Sequence, residues 1–336
     1  MKKILALTLA LLLCFSALAC AKTTETSTPA SAAETVSDAP AAADKTYTIG
    51  ICQLVQHPAL DMATQGFMDA ISAELGDKVT FLNQNASGDP ASCAVICGQF
   101  VSEEVDLILA NATPALSAAA SATNTIPVLG TSVTNYGEAL TLTLAADNST
   151  GINVSGTSDY VSAELQAALV PEMFPEAKTV GLLYCSGEAN SVFQAEELTA
   201  AFTALGLEVQ SFTFADSNDV AAVTKSACDA VDVIFIPTDN TAASCAEAIN
   251  NVAINAKTPI VAGEESLCKG CGTVTLTLSY YELGKATGKM ALDILAGADV
   301  STMPVQEAAG IQKMYNASIC NTLGLTVPDG YVAIAD

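Results

Sequence analysis

The chain has 336 residues, of which 51% are hydrophobic and 14% charged, so it is long and apolar enough to fold into two domains with separate cores. Its formal net charge is −24, and all twelve cationic residues are lysines. This composition excludes a basic nucleic-acid-binding face, and the lack of arginine excludes a bidentate clamp on a carboxylate or phosphate.

The N-terminal segment has the features of a secretion signal. Lys2 and Lys3 precede an apolar run over residues 4–18, which is short for a membrane span. The run ends in Ser16-Ala17-Leu18-Ala19-Cys20, which resembles the lipobox of bacterial lipoproteins. The resemblance implies a signal peptide over residues 1–19 and lipidation of Cys20; the alternative is an ordinary signal cleaved after Ala19, with Cys20 incidental. Residues 20–44 are rich in Ala, Thr, Ser and Pro, and we interpret them as a flexible tether.

The sequence pattern of the remaining residues indicates an internal duplication. Three apolar blocks recur in the same order, and each has the pattern of a buried parallel strand. The paired blocks are residues 47–52 and 179–185, 105–110 and 231–236, and 125–130 and 257–263.

Helical and alternating patterns fill the intervals between these blocks. Helices are predicted over residues 60–75 and 191–205, with second strands over 79–83 and 207–214 and second helices over 90–102 and 218–230. A helix over 280–297, an extended segment over 305–315 and a short helix over 318–325 complete the chain. This alternation predicts an α/β protein with two doubly wound parallel-sheet lobes. Ligands favour the cleft between such lobes.

A set of short motifs, in order along the folded part, carries a family resemblance. The motifs are His57-Pro58-Ala59-Leu60-Asp61, Asn83-Gln84-Asn85-Ala86, Gly88-Asp89-Pro90, Ala112-Thr113-Pro114-Ala115, Gly156-Thr157-Ser158-Asp159, Gly187-Glu188-Ala189-Asn190-Ser191, Pro237-Thr238-Asp239-Asn240-Thr241 and Tyr280-Tyr281-Glu282-Leu283-Gly284-Lys285. Together they resemble the ABC-transporter substrate-binding proteins of the tryptophan- and tyrosine-binding type. The chain departs from that pattern at residues 267–273, which include Cys268 and Cys271, and at Ser279.

The resemblance implies a type I periplasmic-binding-protein fold with a multi-strand hinge. We expect an N-terminal lobe over residues 45–155 plus 279–303 and a C-terminal lobe over 156–278 plus 304–336. The implied function is the extracytoplasmic capture of an aromatic amino acid for an ABC importer, by a monomer that is lipid-anchored at the outer face of the cytoplasmic membrane. The implied partners are a permease and an ATPase. The alternatives are a ligand-sensing receptor without transport, a binding protein for another small solute, and a small-molecule hydrolase.

An amino acid presents a carboxylate and an ammonium, and without arginine the carboxylate needs hydroxyls and helix N-termini. The turn at residues 111–115 carries no charge and suits the carboxylate, whereas the turn at residues 237–241 carries Asp239 and suits the ammonium. Each of these residues could instead be a helix cap. The predicted ligand-binding residues are His57, Thr113, Pro114, Ala115, Ser132, Thr134, Asn190, Ser191, Asp239, Asn240, Glu264 and Glu265.

The cysteines and the single histidine give little support to other chemistry. Beyond Cys14 and Cys20 the chain has nine cysteines, which cannot all pair, and we interpret them as small buried hydrophobic residues. Cys268 and Cys271 form a C-x-x-C, but a zinc site would need two further ligands. No common catalytic motif occurs, so we expect no enzyme activity, no metal and no cofactor.

Overall fold

The computed structural model describes residues 45–307 and 309–335. The predicted signal peptide, Cys20 and the whole of the predicted tether lie outside these residues. Two sheets organise the described part of the chain, and the apolar residues of their central strands are buried on both faces.

The first sheet has the strand order β11-β5-β4-β3-β1-β2, and every pair in it is parallel. Its strands are β1 (Tyr47–Gln53), β2 (Val79–Asn85), β3 (Leu107–Asn111), β4 (Val128–Val133), β5 (Val154–Ser158) and β11 (Gln306–Glu307).

The second sheet has the order β13-β12-β10-β9-β8-β6-β7 and is parallel except for the pair formed by β10 and β12. Its strands are β6 (Thr179–Cys185), β7 (Glu208–Phe214), β8 (Val233–Ile236), β9 (Ile260–Ala262), β10 (Val274–Thr277), β12 (Gln312–Tyr315) and β13 (Val332–Ala333). The five main strands of each half follow the same spatial order. The three repeated blocks correspond to β1 and β6, β3 and β8, and β4 and β9, as the duplication predicts.

Helices cover both faces of each sheet. In chain order they are α1 (Pro58–Leu75), α2 (Pro90–Ser102), α3 (Thr113–Ala122), α4 (Tyr136–Leu140), α5 (Ala163–Ala167), α6 (Leu169–Met173), α7 (Ala189–Ala204), α8 (Val220–Cys228), α9 (Asn240–Ser244), α10 (Ala246–Ala256), α11 (Glu265–Cys271), α12 (Tyr280–Leu295) and α13 (Ala317–Leu323). Short 3₁₀ turns occupy Gly76–Lys78 and Val300–Thr302.

Helices α1 and α12 pack together on one face of the first sheet, where Phe67, Ile71 and Met290 meet Ile49 and Leu107 in one apolar core. Their backbones approach very closely, because a Cβ atom on Gly284 would lie 2.0 Å from the carbonyl oxygen of Ala63. The opposite face of this sheet has its own core under α2 and α3. The second sheet is likewise covered on both faces.

The chain crosses between the two sheets three times. It leaves the first sheet after Ser158, returns before Tyr280 and leaves again after Glu307. The crossings differ by a few residues from the predicted lobe boundaries at 155/156 and 303/304, because Val154–Ser158 and Gln306–Glu307 both pair within the first sheet. The predicted extended segment over 305–315 is two strands in different sheets. Among the helices of residues 45–335 that the structure describes, none has the length and apolar character that a membrane span requires.

Candidate functional site

The carboxyl ends of the two sets of parallel strands face each other and make direct polar contacts. His57, just after β1, places its Nε2 atom 3.3 Å from Oδ1 of Asn240 at the start of α9. Thr134, just after β4, lies at hydrogen-bond distance (3.5 Å) from the Gln194 amide on α7. Because these contacts join the two lobes, the cleft between them is closed.

A narrow cavity lies between these contacts, and the space in and around it, open solvent included, is about 280 Å³. Both lobes contribute to it, and no lysine is among the described residues that line it. The lining residues are His57, Leu60, Ser132, Thr134, Asp159, Asn190, Thr238, Asp239, Asn240, Ala243, Glu264 and Tyr280.

Seven of the twelve predicted ligand-binding residues therefore line one cavity: His57, Ser132, Thr134, Asn190, Asp239, Asn240 and Glu264. The other five lie around it. Thr113 and Ser191 are buried beside the cleft, and Pro114 lines an outer groove. Ala115 is packed in the core under α3, so its side chain faces away from the cleft. Glu265 lines a separate pocket of about 670 Å³ beyond Glu264 and Tyr280.

Asp239 uses both of its carboxylate oxygens within its own lobe. Oδ1 accepts from the N–H of Ala242 at 2.7 Å and so caps α9, and Oδ2 accepts from the N–H of Cys185 at the end of β6 at 2.6 Å. Burial raises the pKa of Asp239 to about 7, with a further contribution from the nearby charge of Glu188. These two backbone N–H groups and the N-terminus of α9 stabilise the buried carboxylate of Asp239 within its own lobe.

Glu264 is arranged in the same way at α11. Its carboxylate accepts from the N–H groups of Ser266 at 2.6 Å and Leu267 at 2.5 Å, and from the Ser266 hydroxyl at 2.8 Å. Burial raises the pKa of this carboxyl to about 7. Asp239 and Glu264, two of the three acidic residues in the predicted ligand-binding set, are thus N-caps; the third, Glu265, lies outside the cavity.

Asp159 is a third buried carboxylate, and it is not a helix cap. It follows β5, where Oδ1 accepts from the Thr134 hydroxyl at 3.2 Å and Oδ2 accepts from the Tyr280 hydroxyl at 2.9 Å. The residue is 4% exposed, and burial raises the pKa of its carboxyl. Each carboxylate oxygen has two acceptor sites, so Asp159 retains accepting capacity toward the cavity.

Several buried polar atoms at the cleft have no hydrogen-bond partner within the described part of the chain. They are His57 Nδ1, Thr113 Oγ1, Ser132 Oγ and Asn190 Oδ1. Leaving one such group unpaired costs about 1–3 kcal/mol, so a cluster of them indicates a place for a polar ligand.

The backbone of the first lobe is also unusual at this point. Ser132 has φ +55° and Ala112 has φ +90°, which are conformations that L-residues rarely adopt. Ser132 lies where the pairing of β4 with β5 shifts register between Gly130 and Val133. Such local strain is commonly concentrated at binding sites, here at the ends of β3 and β4.

Three helices that begin at this cleft have no side-chain cap. Their N-cap residues are His57 for α1, Ala112 for α3 and Glu188 for α7. By contrast, Ser279 caps α12, as Asp239 and Glu264 cap α9 and α11. Uncapped N-termini offer free N–H groups and partial positive charge, so they can bind an anion without arginine.

Comparison with known proteins agrees with this two-lobed arrangement. Residues 48–336 match the family model described as ABC transporter substrate binding protein. The chain belongs to this family. It is 36% identical over 265 residues to the tyrosine-binding protein of Clostridioides difficile strain R20291, covering 78% of this chain and 76% of that protein. The predicted family is therefore confirmed, and the chain is the substrate-binding component of an ABC transporter.

Two solved members of the family show the same type I fold. The ABC domain from Streptococcus pneumonia in complex with L-Trp has a TM-score of 0.81 and 32% identity, covering 86% of this chain and 100% of that one. A ligand-free, open substrate-binding protein with adhesive properties from Clostridium difficile has a TM-score of 0.66 and 34% identity, covering 86% and 99%. The present structure is thus closer to the ligand-bound member, in keeping with its closed cleft.

Sequence reasoning did not select five of the residues that line the cavity: Leu60, Asp159, Thr238, Ala243 and Tyr280. Asp159 and Tyr280 belong to the motifs quoted above, and each lies next to a crossing between the two sheets. Their position next to a crossing is the signal that could have found them, since a hinge segment also borders the cleft.

The nine cysteines of the described part of the chain are free thiols, and seven of them are buried. Cys52 lies in contact with Cys93 and Cys97 under α2, whereas Cys268 and Cys271 pack inside the second lobe. Within residues 45–307 and 309–335, no group of three or more His, Cys, Asp or Glu side chains is placed to hold a metal ion.

Proposed function

We propose that the protein binds an aromatic α-amino acid in the closed interlobe cavity and acts as a binding protein without catalytic activity. The observation that carries the proposal is Asp159, a buried carboxylate with hydroxyl partners in a cavity whose described lining residues include no lysine. A ligand ammonium supplies the missing positive charge, because a buried carboxylate is costly unless it is paired.

The ligand carboxylate then lies toward the donors of the first lobe. The unpartnered hydroxyls of Ser132 and Thr113 and the uncapped N-terminus of α3 are the available donors. They replace the arginine that this chain lacks. We assign the ammonium to Asp159 in place of Asp239, whose carboxylate is engaged by the second lobe.

Contacts from both lobes make ligand binding favour the closed state. The first lobe supplies His57, Ser132 and Thr134, and the second supplies Asn190 and Asn240. The relatives support the ligand class, since one is named for tyrosine and another was solved with L-Trp.

The chain itself contains no tryptophan, which provides a direct test. Bound tryptophan would be the only indole in the sample, so its emission and anisotropy report binding without interference. We expect tryptophan to bind saturably. If tryptophan does not bind, we expect calorimetry to show that tyrosine binds instead. Leucine and a nucleoside serve as non-aromatic controls. Binding of a control ligand with no binding of any aromatic amino acid would contradict the proposal.

We further propose that Cys20 carries the lipid that anchors a monomeric binding protein at the outer face of the membrane, where it delivers ligand to the permease and ATPase. Expression in a bacterial host with radiolabelled palmitate should label the natural chain, and Cys20→Ala should not be labelled. Equal labelling of both proteins would exclude Cys20 as the lipid site.

A further inference from the structure

Glu188 makes an unusual set of contacts for a residue at the start of a helix. Its side chain does not cap α7; it reaches the start of α9 in the same lobe. One oxygen accepts from the N–H of Thr241 at 2.8 Å and from its hydroxyl at 2.7 Å, and the other accepts from the N–H of Asn240 at 3.1 Å and from its side-chain Nδ2 at 2.6 Å.

This network fixes the orientation of the Asn240 amide. A carboxylate only accepts hydrogen bonds, so the NH₂ group of Asn240 faces Glu188 and its oxygen is turned toward His57. An amide oxygen also only accepts, so Nε2 of His57 must carry the proton. Burial lowers the pKa of His57, which keeps the ring neutral, and its Nδ1 atom is then an acceptor.

Asn190 is oriented in a similar way. Its Nδ2 atom donates to the carbonyl oxygen of Thr238 at 2.9 Å and approaches a Glu188 oxygen at 3.4 Å. Its Oδ1 atom is therefore turned away from these groups. Both His57 Nδ1 and Asn190 Oδ1 are buried acceptors without a donor in the described part of the chain, and both residues line the ligand cavity.

We propose that His57 Nδ1 and Asn190 Oδ1 accept a hydrogen bond from the ring O–H or N–H of the ligand, with Glu188 as the residue that positions them. The site therefore selects aromatic amino acids that carry a ring donor and rejects phenylalanine. This inference rests on the proposed function, because it assigns a specificity to the same cavity.

The physical basis of the selection is the cost of an unpaired buried acceptor. Bound phenylalanine would bring no ring donor to these two acceptors, so both would stay dehydrated and unpaired. Sites built to bind a hydroxyl discriminate strongly against the analogue that lacks it. We expect the better of tyrosine and tryptophan to bind roughly 10- to 100-fold more tightly than phenylalanine.

Calorimetric titration of the purified chain with tyrosine, tryptophan and phenylalanine tests this inference. His57→Phe removes the acceptor and keeps an aromatic ring. The affinities for ligands with and without a ring donor should then differ by no more than about three-fold. Glu188→Gln lies outside the direct contact, yet it should also reduce the preference, because a glutamine amide no longer forces the Asn240 amide into one orientation. Asn240→Ala provides a second route to the same result if Glu188→Gln does not fold.

The ratio of affinities separates positioning from a purely structural role. If the variants weaken all three ligands equally, Glu188 and His57 only support the fold and the inference is overturned. If the natural chain binds tyrosine and phenylalanine equally, the inference is also overturned while the proposed function stands. If it binds no aromatic amino acid, the proposed function itself fails.

Discussion

Replacing Asp159 with asparagine removes the negative charge from the cavity and keeps the shape of the side chain. Thr134 and Tyr280 donate to different oxygens of Asp159, so one hydroxyl can still donate to the asparagine oxygen and the other can accept from its NH₂ group. The ligand ammonium, however, loses the carboxylate that pairs with it. The change therefore tests the assignment of the ammonium with little change in packing.

The expected magnitude follows from the burial of the group. A hydrogen bond to a charged partner contributes about 1.5–3 kcal/mol, and leaving one charge of a buried pair unmatched costs about 2–5 kcal/mol. We expect a loss of about 3 kcal/mol of binding free energy, which is about a hundred-fold in Kd. The unfolding temperature of the ligand-free variant should be unchanged or higher, since burial raises the pKa of Asp159 and its ionised form is costly without a partner.

Calorimetry with the preferred aromatic amino acid measures the first effect, and thermal unfolding without ligand measures the second. Asp229→Asn is a matched control, because this exposed aspartate on the second lobe pairs with Lys225 four residues earlier and does not line the cavity. It should bind as the natural chain does. If Asp159→Asn retained an affinity within about three-fold of the natural chain, the ammonium would have to be placed elsewhere, and the reasoning would be refuted.

Three further changes test the remaining features of the site and its lobes. Asp239→Ala should lower the free energy of unfolding by about 2–4 kcal/mol, because it removes the cap of α9 and leaves the Cys185 N–H unpaired. Urea titration measures this loss, and an unchanged midpoint of the urea unfolding curve would contradict it. Burial raises the pKa of Glu264 to about 7, so the folded state binds the Glu264 proton more tightly than the unfolded state does, and stability falls as the pH rises from about 4.5 to 7. Glu264→Gln should therefore reduce the fall in unfolding temperature across this pH range. If the variant and the natural chain had the same pH profile, the effect would be excluded. Gly284→Ala should cost about 1–3 kcal/mol of unfolding free energy through its contact with the Ala63 carbonyl, whereas Gly297→Ala, which has open space but φ +110°, provides a control for backbone strain alone.

The central strands of both sheets could be predicted because they are continuous apolar runs. Every residue of Leu107–Asn111 and of Val233–Ile236 is buried, so the burial of both faces is visible in the sequence as an unbroken hydrophobic pattern. The short helices α4, α5 and α6 were not predicted. Each has five residues, fewer than two turns, and so cannot display a helical period.

The role of each acidic residue could not be predicted from the same pattern. Asp159, Asp239 and Glu264 all follow a strand and all end up buried at one cavity. What separates them is whether a helix begins immediately afterwards. Asp239 and Glu264 are followed by α9 and α11, whose N–H groups occupy their oxygens, whereas Asp159 is followed by an irregular segment before α5.

The distribution of caps then accounts for how an arginine-free cleft can hold a zwitterion. In the second lobe, acidic side chains satisfy the N-termini of α9 and α11, so these carboxylates are neutralised locally and do not repel a ligand carboxylate strongly. The N-terminus of α3 follows Ala112, which has no side-chain acceptor, and Glu188 is turned away from α7 toward Asn240. The backbone N–H groups at the N-termini of α3 and α7 are therefore left without a side-chain cap at the cleft. Asp159, in contrast, is a carboxylate that caps no helix. In the proposed complex, the ligand carboxylate takes the place of a cap and the ligand ammonium supplies the positive charge beside Asp159.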